Sequence, residues 1–205
     1  MKVTRIVKKD ARNVIIYFED DEKLILAFDV FMKSGLRKND EISDDRFSSL
    51  IEENIKYHIK QRAFRYLGRR LHSESELRTK LMQKGYEKKL INEILDDLKR
   101  NSYIDDKGFA NVFAEEKLKR KQWSEKKLKS ELIKKGVNAN IISEVLQSKI
   151  SDEDNFNNAF IVASKKYESL KKRGIEDKLI RQKLITFLQS RGYDYDVIKQ
   201  VCDKL

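Results

Sequence analysis

The chain of 205 residues contains no proline, one cysteine, one tryptophan, two histidines and seven glycines. Without proline, helix ends fall to glycine and to capping side chains. A single cysteine, Cys202, excludes an intramolecular disulfide and suits a reducing cytoplasm. Set in a C-terminal apolar pattern, it reads as a small core residue. His58 and His72 have no cysteine partner and no metal-ligand spacing. Neither a GxxxxGK[ST] nor a GxGxxG loop occurs, so no nucleotide cradle, metal or other cofactor is expected. The apolar runs are short and broken by charge, so no bilayer span is expected. The N-terminal MKVTRIVKKDARN is basic but lacks the apolar stretch of a secretory signal.

What is abundant is charge: 39% of the residues are charged, 40% apolar, and the net charge is +11. Residues 1–60 carry 12 basic and 12 acidic groups, residues 61–149 carry 22 and 13, and residues 150–205 carry 11 and 9. The positive field therefore belongs to the middle of the chain. Such a field attracts nucleic acid, anionic lipid or an acidic protein face, or is simply a well-solvated helical surface.

The middle and end of the chain repeat themselves. ELRTKLMQKGYEKKLINEIL (76–95) recurs as KLKSELIKKGVNANIISEVL (127–146) and KLITFLQSRGYDYDVIKQVC (183–202). Aligned without gaps on Gly85, Gly136 and Gly192, the first two copies share seven identities in twenty. Leucines stand eight and four residues before each glycine, and Ile91, Ile142 or Ile198 stands six after it. Each glycine is expected to stop one helix in the left-handed conformation, and a second amphipathic helix follows. Ser73 with Glu76 forms a capping box, and Ser124 takes the same place in copy two. Trp123, just outside that cap, is expected to close on Leu128 rather than offer a platform to a base. Lys84, Lys135 and Arg191 suit the negative end of the preceding helix.

A further helical segment leads each pair: QRAFRYLGRRL (61–71), FANVFAEEKLKRK (109–121) and NAFIVASKKYESLKKR (158–173). If Ala63, Ala110 and Ala159 correspond, spacing predicts a second leading helix longer by one turn and a third longer by three, the last ended by Gly174. Each unit is thus three helices, and stacked units predict an elongated, curved, mostly α body. SDEDNFN (151–157) is the most loop-like linker in the C-terminal half. The N-terminal segment differs: VTRIV, NVIIYF and KLILAF (3–7, 13–18, 23–28) read as a three-stranded meander. DVFMKSGL follows as a short helix ended by Gly35, and FSSLIEENIKYHIKQRAF enters the repeats as a long one. Three strands alone are marginal, so the meander should pack on a helix. The expected division is residues 1–58 for this β-rich segment and linking helix, then three-helix repeats at 59–104, 105–150 and 151–205.

Asp105 and Asp106 are adjacent carboxylates, which do not converge on one substrate atom; they read as turn and capping groups, and no enzyme is expected.

The pattern SESELRTKLMQKGY, the junction LKRNSYIDDKGFANVF (98–113) and SELIKKGV (130–137) together resemble the RecX family of bacterial recombination regulators. The residues that carry the likeness are Tyr103, Ile104, Asp105, Asp106, Phe109 and Ala110 at the junction, with Glu131, Leu132, Lys135 and Gly136 after it. SGLRKNDEIS resembles the N-terminal extension of longer members. Ser124 departs from the glycine that many members carry there, and remains a competent cap.

The resemblance implies binding to RecA and along the RecA–DNA filament, with modulation, mainly inhibition, of its ATPase, strand exchange and coprotease activity. A monomer acting without catalysis is expected. The other reading is a DNA-binding module that competes for the lattice on single- or double-stranded DNA. Arg62, Arg65 and Arg69 are expected on one side of the first leading helix, followed by Arg70. Lys117, Arg120 and Lys121 fall at the corresponding end of the second. These seven are the candidate contact residues, with no catalytic, cofactor or metal residue among them.

Overall fold

A computed structural model describes residues 1–151 and 155–205 in full and residues 152–154 by their backbone. Among the described residues three strands and ten helices follow one another. They are β1 (Val3–Lys8), β2 (Asn13–Phe18), β3 (Lys23–Ala27), α1 (Phe28–Ser34), α2 (Asp44–Leu67), α3 (Glu74–Met82) and α4 (Lys88–Arg100). Then come α5 (Asp106–Lys121), α6 (Glu125–Lys134), α7 (Ala139–Gln147), α8 (Asp152–Lys171), α9 (Asp177–Ser190) and α10 (Tyr195–Lys204). Of the linker expected at 151–157, residues 152–154 lie outside the fully described part, and residues 155–157 are not a loop but belong to the helix α8, which begins at Asp152. The chain divides into two compact units, Met1–Arg70 with Leu77–Tyr103, and Leu71–Glu76 with Ile104–Leu205.

In the first unit the expected meander forms as an antiparallel sheet in the order β1-β2-β3. The register Val14↔Leu26 and Ile16↔Leu24 puts those four alternate side chains on one face, where all are buried. Leu50 of α2 joins this core with Phe47 and Tyr57 packed against it, which supplies the helical support three strands need. Asn54 of α2 ties the open side of β3: its carbonyl accepts from the Ala27 N–H at 2.8 Å and its amide donates to the Ile25 carbonyl at 3.1 Å. The start of β1 is held on its own open side, where the Val3 N–H donates to Asp40 and the Asn39 N–H donates back to Val3. Gly35, at φ 70°, ends α1 as expected.

The long entering helix and the first leading helix are one element, α2, capped by Ser43, whose hydroxyl accepts from the Arg46 N–H. The boundary expected between residues 58 and 59 therefore falls inside a helix. This helix ends at Leu67 and not at residue 71, because Gly68 is a poor helix former and the Arg69 N–H turns back to the Tyr66 carbonyl. Lys56–Glu93 and Lys60–Asp97 ion pairs, 2.6 and 2.7 Å, join α2 to α4.

In the second unit, α5, α6 and α7 enclose Phe109, Ala114, Leu128, Leu132 and Val145, with Trp123 packed against them. Helices α8, α9 and α10 enclose Ala159, Ile180, Leu184, Tyr193 and Val201, and Cys202 belongs to this core. The leading helices depart from the expected one-turn and three-turn growth. Relative to the buried alanines Ala63, Ala110 and Ala159, α5 and α8 each outrun α2 by about two turns. The remaining extra spacing in the third copy is taken up by α9, which starts at Asp177, about a turn earlier relative to its leucines than α3 or α6. Gly174, at φ 72°, follows α8 as expected.

Within the second unit the segment Leu71–Glu76 and the last two copies are joined at their helix caps. The Ser73 hydroxyl accepts from the Glu76 N–H at 3.1 Å and donates to the Lys135 carbonyl at 2.6 Å. Lys135 Nζ meets the Glu76 carboxylate at 2.6 Å. At the next junction the Ser124 hydroxyl caps α6, and its N–H donates to the Arg191 carbonyl at 3.1 Å. The Tyr193 hydroxyl donates to the Gln122 carbonyl at 2.8 Å, and Lys126 pairs with Asp194 at 2.7 Å. Gly136 and Gly192 thus do more than stop helices. A β-carbon on Gly136 would overlap Ser75, and one on Gly192 would stand 2.7 Å from Ser124 Oγ and Lys127 Cβ. The side chains of Lys135 and Arg191, expected to serve only their own helix ends, reach Glu76 and the Lys121 carbonyl in the preceding copy.

Candidate interaction surface

Each repeat sets cations on aromatic faces. In the first, Lys80 Nζ lies 5.1 Å from the Tyr66 ring centre, and hydrogen bonds to Tyr86 and Tyr66 hold the Arg62 guanidinium above its usual pKa. In the second, Lys117 lies over Phe113 at 5.2 Å and Trp123 at 5.8 Å, while Lys127 lies over Trp123 at 5.9 Å. In the third, Lys166 and Arg191 lie over Phe187 at 5.7 and 4.4 Å. Such pairs are attractive through the ring quadrupole and fix the long side chains. Trp123, packed on Phe113 and flanked by two lysines, is a structural residue, as its place beside the cap suggested.

The seven sequence candidates fall into two groups, one per unit. Arg62 and Arg65 stand in the last two turns of α2. Arg69 and Arg70 lie in the turn after Gly68, so Arg69 does not share the helix face with Arg62 and Arg65. Lys117, Arg120 and Lys121 stand at the end of α5. Lys117 is not a free cation: its side chain is only 21% exposed and it donates to Glu116. Arg120 is 76% exposed, 4.0 Å from Glu116. Lys121 is exposed, and its carbonyl accepts from the Arg191 guanidinium.

A third cationic feature escaped the sequence reading. Between α8 and α9 runs a groove of about 590 Å³ rimmed by Lys166, Arg173 and Lys183 over Leu170, Ile175 and Phe187. Lys166 stands on α8, Lys183 on α9 and Arg173 in the turn between them, so no single helical face carried the signal.

Asp105 and Asp106 act as caps. Asp105 Oδ1 accepts from the Lys107 and Gly108 N–H groups, and Asp106 Oδ1 accepts from the Glu74 N–H at 2.9 Å. Among the described residues no group of three or more His, Cys, Asp or Glu is placed to hold a metal, and no helix is long and apolar enough to cross a membrane.

Comparison with known proteins places this arrangement. Models of the RecX first, second and third three-helix domains match residues 60–98, 105–146 and 152–202. The chain belongs to the RecX family. It is 31% identical over 202 residues to Regulatory protein RecX of Clostridium botulinum (strain Alaska E43 / Type E3), covering 98% of the chain and 94% of that relative. Regulatory protein RecX of Clostridium perfringens (strain 13 / Type A) is 31% identical over 206 residues, covering 100% and 96%. A crystal structure of regulatory protein RecX shares the fold at a TM-score of 0.73 and 20% identity, over 98% of both chains. RecX from Lactobacillus salivarius superposes at 0.62 with 22% identity, over 75% of this chain and 97% of that one. The N-terminal sheet lies outside the three RecX domain models but inside the clostridial alignments.

Proposed function

We propose that this RecX-family chain binds RecA and the RecA–DNA filament and holds down filament ATPase, strand exchange and coprotease activity, acting as a monomer without catalysis. The observation that supports this reading is the recurrence of one three-helix unit, matched at residues 60–98, 105–146 and 152–202 by the models of the three RecX domains. Surfaces that recur at a fixed interval suit a partner that is itself a repeating assembly. In this reading 59–104, 105–150 and 151–205 each contribute one contact unit. Arg65, Arg69, Arg70, Arg120 and Lys121 touch the partner, and Arg62 and Lys117 act through the aromatic rings that hold them.

The second reading, direct binding to DNA with competition for the lattice, draws on the 22 basic against 13 acidic residues between positions 61 and 149. A single experiment separates them: RecA ATPase on single-stranded DNA with increasing amounts of the protein. Filament modulation requires inhibition at well below one molecule per RecA. Inhibition only at amounts that coat the DNA would decide for competition.

A further inference from the structure

In the first unit a cleft of about 510 Å³ opens between the β1–β2 turn, the start of α1 and the middle of α2. Two hydrogen bonds, one to the Asp10 carboxylate and one within the main chain, fix its rim. The Arg12 N–H donates to Asp10 at 2.7 Å, and the Phe28 N–H donates to the Arg12 carbonyl at 2.7 Å, so Arg12 and Phe28 are held side by side. Arg65 faces them from α2. Both guanidinium groups act on the Tyr57 hydroxyl, which they draw downward against the larger upward effect of its bond to Asp29. Among the described residues neither Arg12 nor Arg65 forms an ion pair. Asp29, the one acid in the lining, is engaged by the Tyr57 hydroxyl at 2.8 Å.

The rest of the lining is not that of a bare anion site. Phe28 is 43% exposed, an aromatic ring left open at the mouth. Asn13 is oriented by its amide, which donates to Asp10, and Gln61 presents a second side-chain amide. His58 completes the wall. Desolvation first, then Arg62 and Arg65, push its pKa down, so the imidazole is neutral near pH 7 and can hydrogen-bond.

We propose that this cleft binds one nucleotide of a single-stranded nucleic acid, with the phosphodiester between Arg12 and Arg65 and the base stacked on Phe28. Two guanidinium groups suit phosphate oxygens, and stacking on an open ring is how single strands are held without sequence preference. An acidic peptide would use the arginines but has no use for the open Phe28 ring. Of the seven candidate contact residues only Arg65 takes part, and the proposal requires no recombinase.

The test is fluorescence anisotropy of a labelled oligothymidylate with the full chain alone, so that failure here leaves the RecA reading untouched. At low salt the double variant Arg12→Gln/Arg65→Gln should bind about tenfold more weakly. Its salt slope should be smaller by about 0.7, the loss of one neutralised phosphate on a single strand. Phe28→Ala should bind about fivefold more weakly with the slope unchanged. These exposed positions leave the far-ultraviolet circular dichroism as in the parent. An oligonucleotide carrying 5-iodouracil should cross-link to the peptide containing Phe28. Wild-type affinity in the arginine variant, or cross-links confined to other peptides, would overturn the proposal. Loss in the arginine variant with none in Phe28→Ala would mark a simple anion site and overturn the nucleotide assignment. Displacement of the oligonucleotide by polyglutamate as readily as by unlabelled oligothymidylate would do the same in favour of an acidic peptide.

Discussion

Ser73 and Lys135 are 62 residues apart in sequence, and the hydroxyl of the first donates a 2.6 Å hydrogen bond to the carbonyl of the second. The same oxygen accepts from the Glu76 N–H, so one buried side chain both caps a helix start and holds the main chain that follows α6. Ser124 does only the first with its hydroxyl; its main-chain N–H makes the second bond. Ser124→Ala should therefore cost about 1 kcal/mol, the usual worth of a cap. Ser73→Ala should cost about 2 kcal/mol, because the Lys135 carbonyl also loses its donor. Urea denaturation of the two variants measures the difference, and equal losses would show that the inter-repeat bond contributes nothing.

Gly85 and Gly136 share a left-handed backbone, φ 81° and 72°, but not their surroundings. A β-carbon at Gly85 meets nothing within 4 Å, whereas one at Gly136 runs into Ser75. Gly85→Ala should cost about 1 kcal/mol from backbone strain alone. Gly136→Ala should cost roughly 1–3 kcal/mol more through steric displacement of Ser75. Thermal melts of both variants give the comparison.

Tyr193 is buried at the junction of the second and third copies, and burial pushes its hydroxyl pKa up to about 12. An unfolded tyrosine ionises near 10, so between about pH 10 and 12 the unfolded chain releases a proton that the folded chain keeps. This contribution to stability is complete below pH 10 and is lost as pH rises, at a limiting slope on the order of 1 kcal/mol per pH unit. Tyr193→Phe should be less stable by about 1 kcal/mol at neutral pH, for want of the bond to the Gln122 carbonyl. It should also show a flatter alkaline decline in a denaturation series from pH 8 to 12.

Lys117 and Arg120 lie one turn apart on α5 and should separate stability from binding. Lys117→Ala removes a cation packed on Phe113 and Trp123 and should lower stability by about 1 kcal/mol. Arg120→Glu leaves packing alone and should weaken inhibition of the RecA ATPase with stability changed by less than about 0.5 kcal/mol. If Lys117→Ala abolished inhibition at full stability, the placing of these two residues would be reversed.

The local physics of this chain could be read directly from its residues. The leucine spacing around Gly85, Gly136 and Gly192, the Ser73 and Ser124 caps and the alternation in NVIIYF each correspond to an observed element. Helix extents were less legible. Gly68 stops α2 before Arg69, and the lengthening of the third copy is shared between α8 and α9, because spacing reports a total and not its division. Contacts at long range left no trace in the pattern. Nothing in KKGV says that its glycine lies against Ser75, and nothing in QSRG says that its arginine reaches the Lys121 carbonyl. Arg12, Phe28 and Arg65 are brought to one cleft by three separate elements, which no reading along a single face could assemble.

The side-chain amide of Asn54 across Ile25 and Ala27, and the main chain of Asn39 and Asp40 against Val3, have a consequence for recognition. A small sheet with free borders invites an extended peptide, or another molecule's strand, to pair as one more ribbon. Here one border is occupied at its middle and the other at its start, and the uncovered stretch of β1 carries Arg5 and Lys8. Strand addition is therefore disfavoured on both sides. Whatever the N-terminal segment recognises it must recognise through side chains, and the sheet is guarded against self-association while the chain folds.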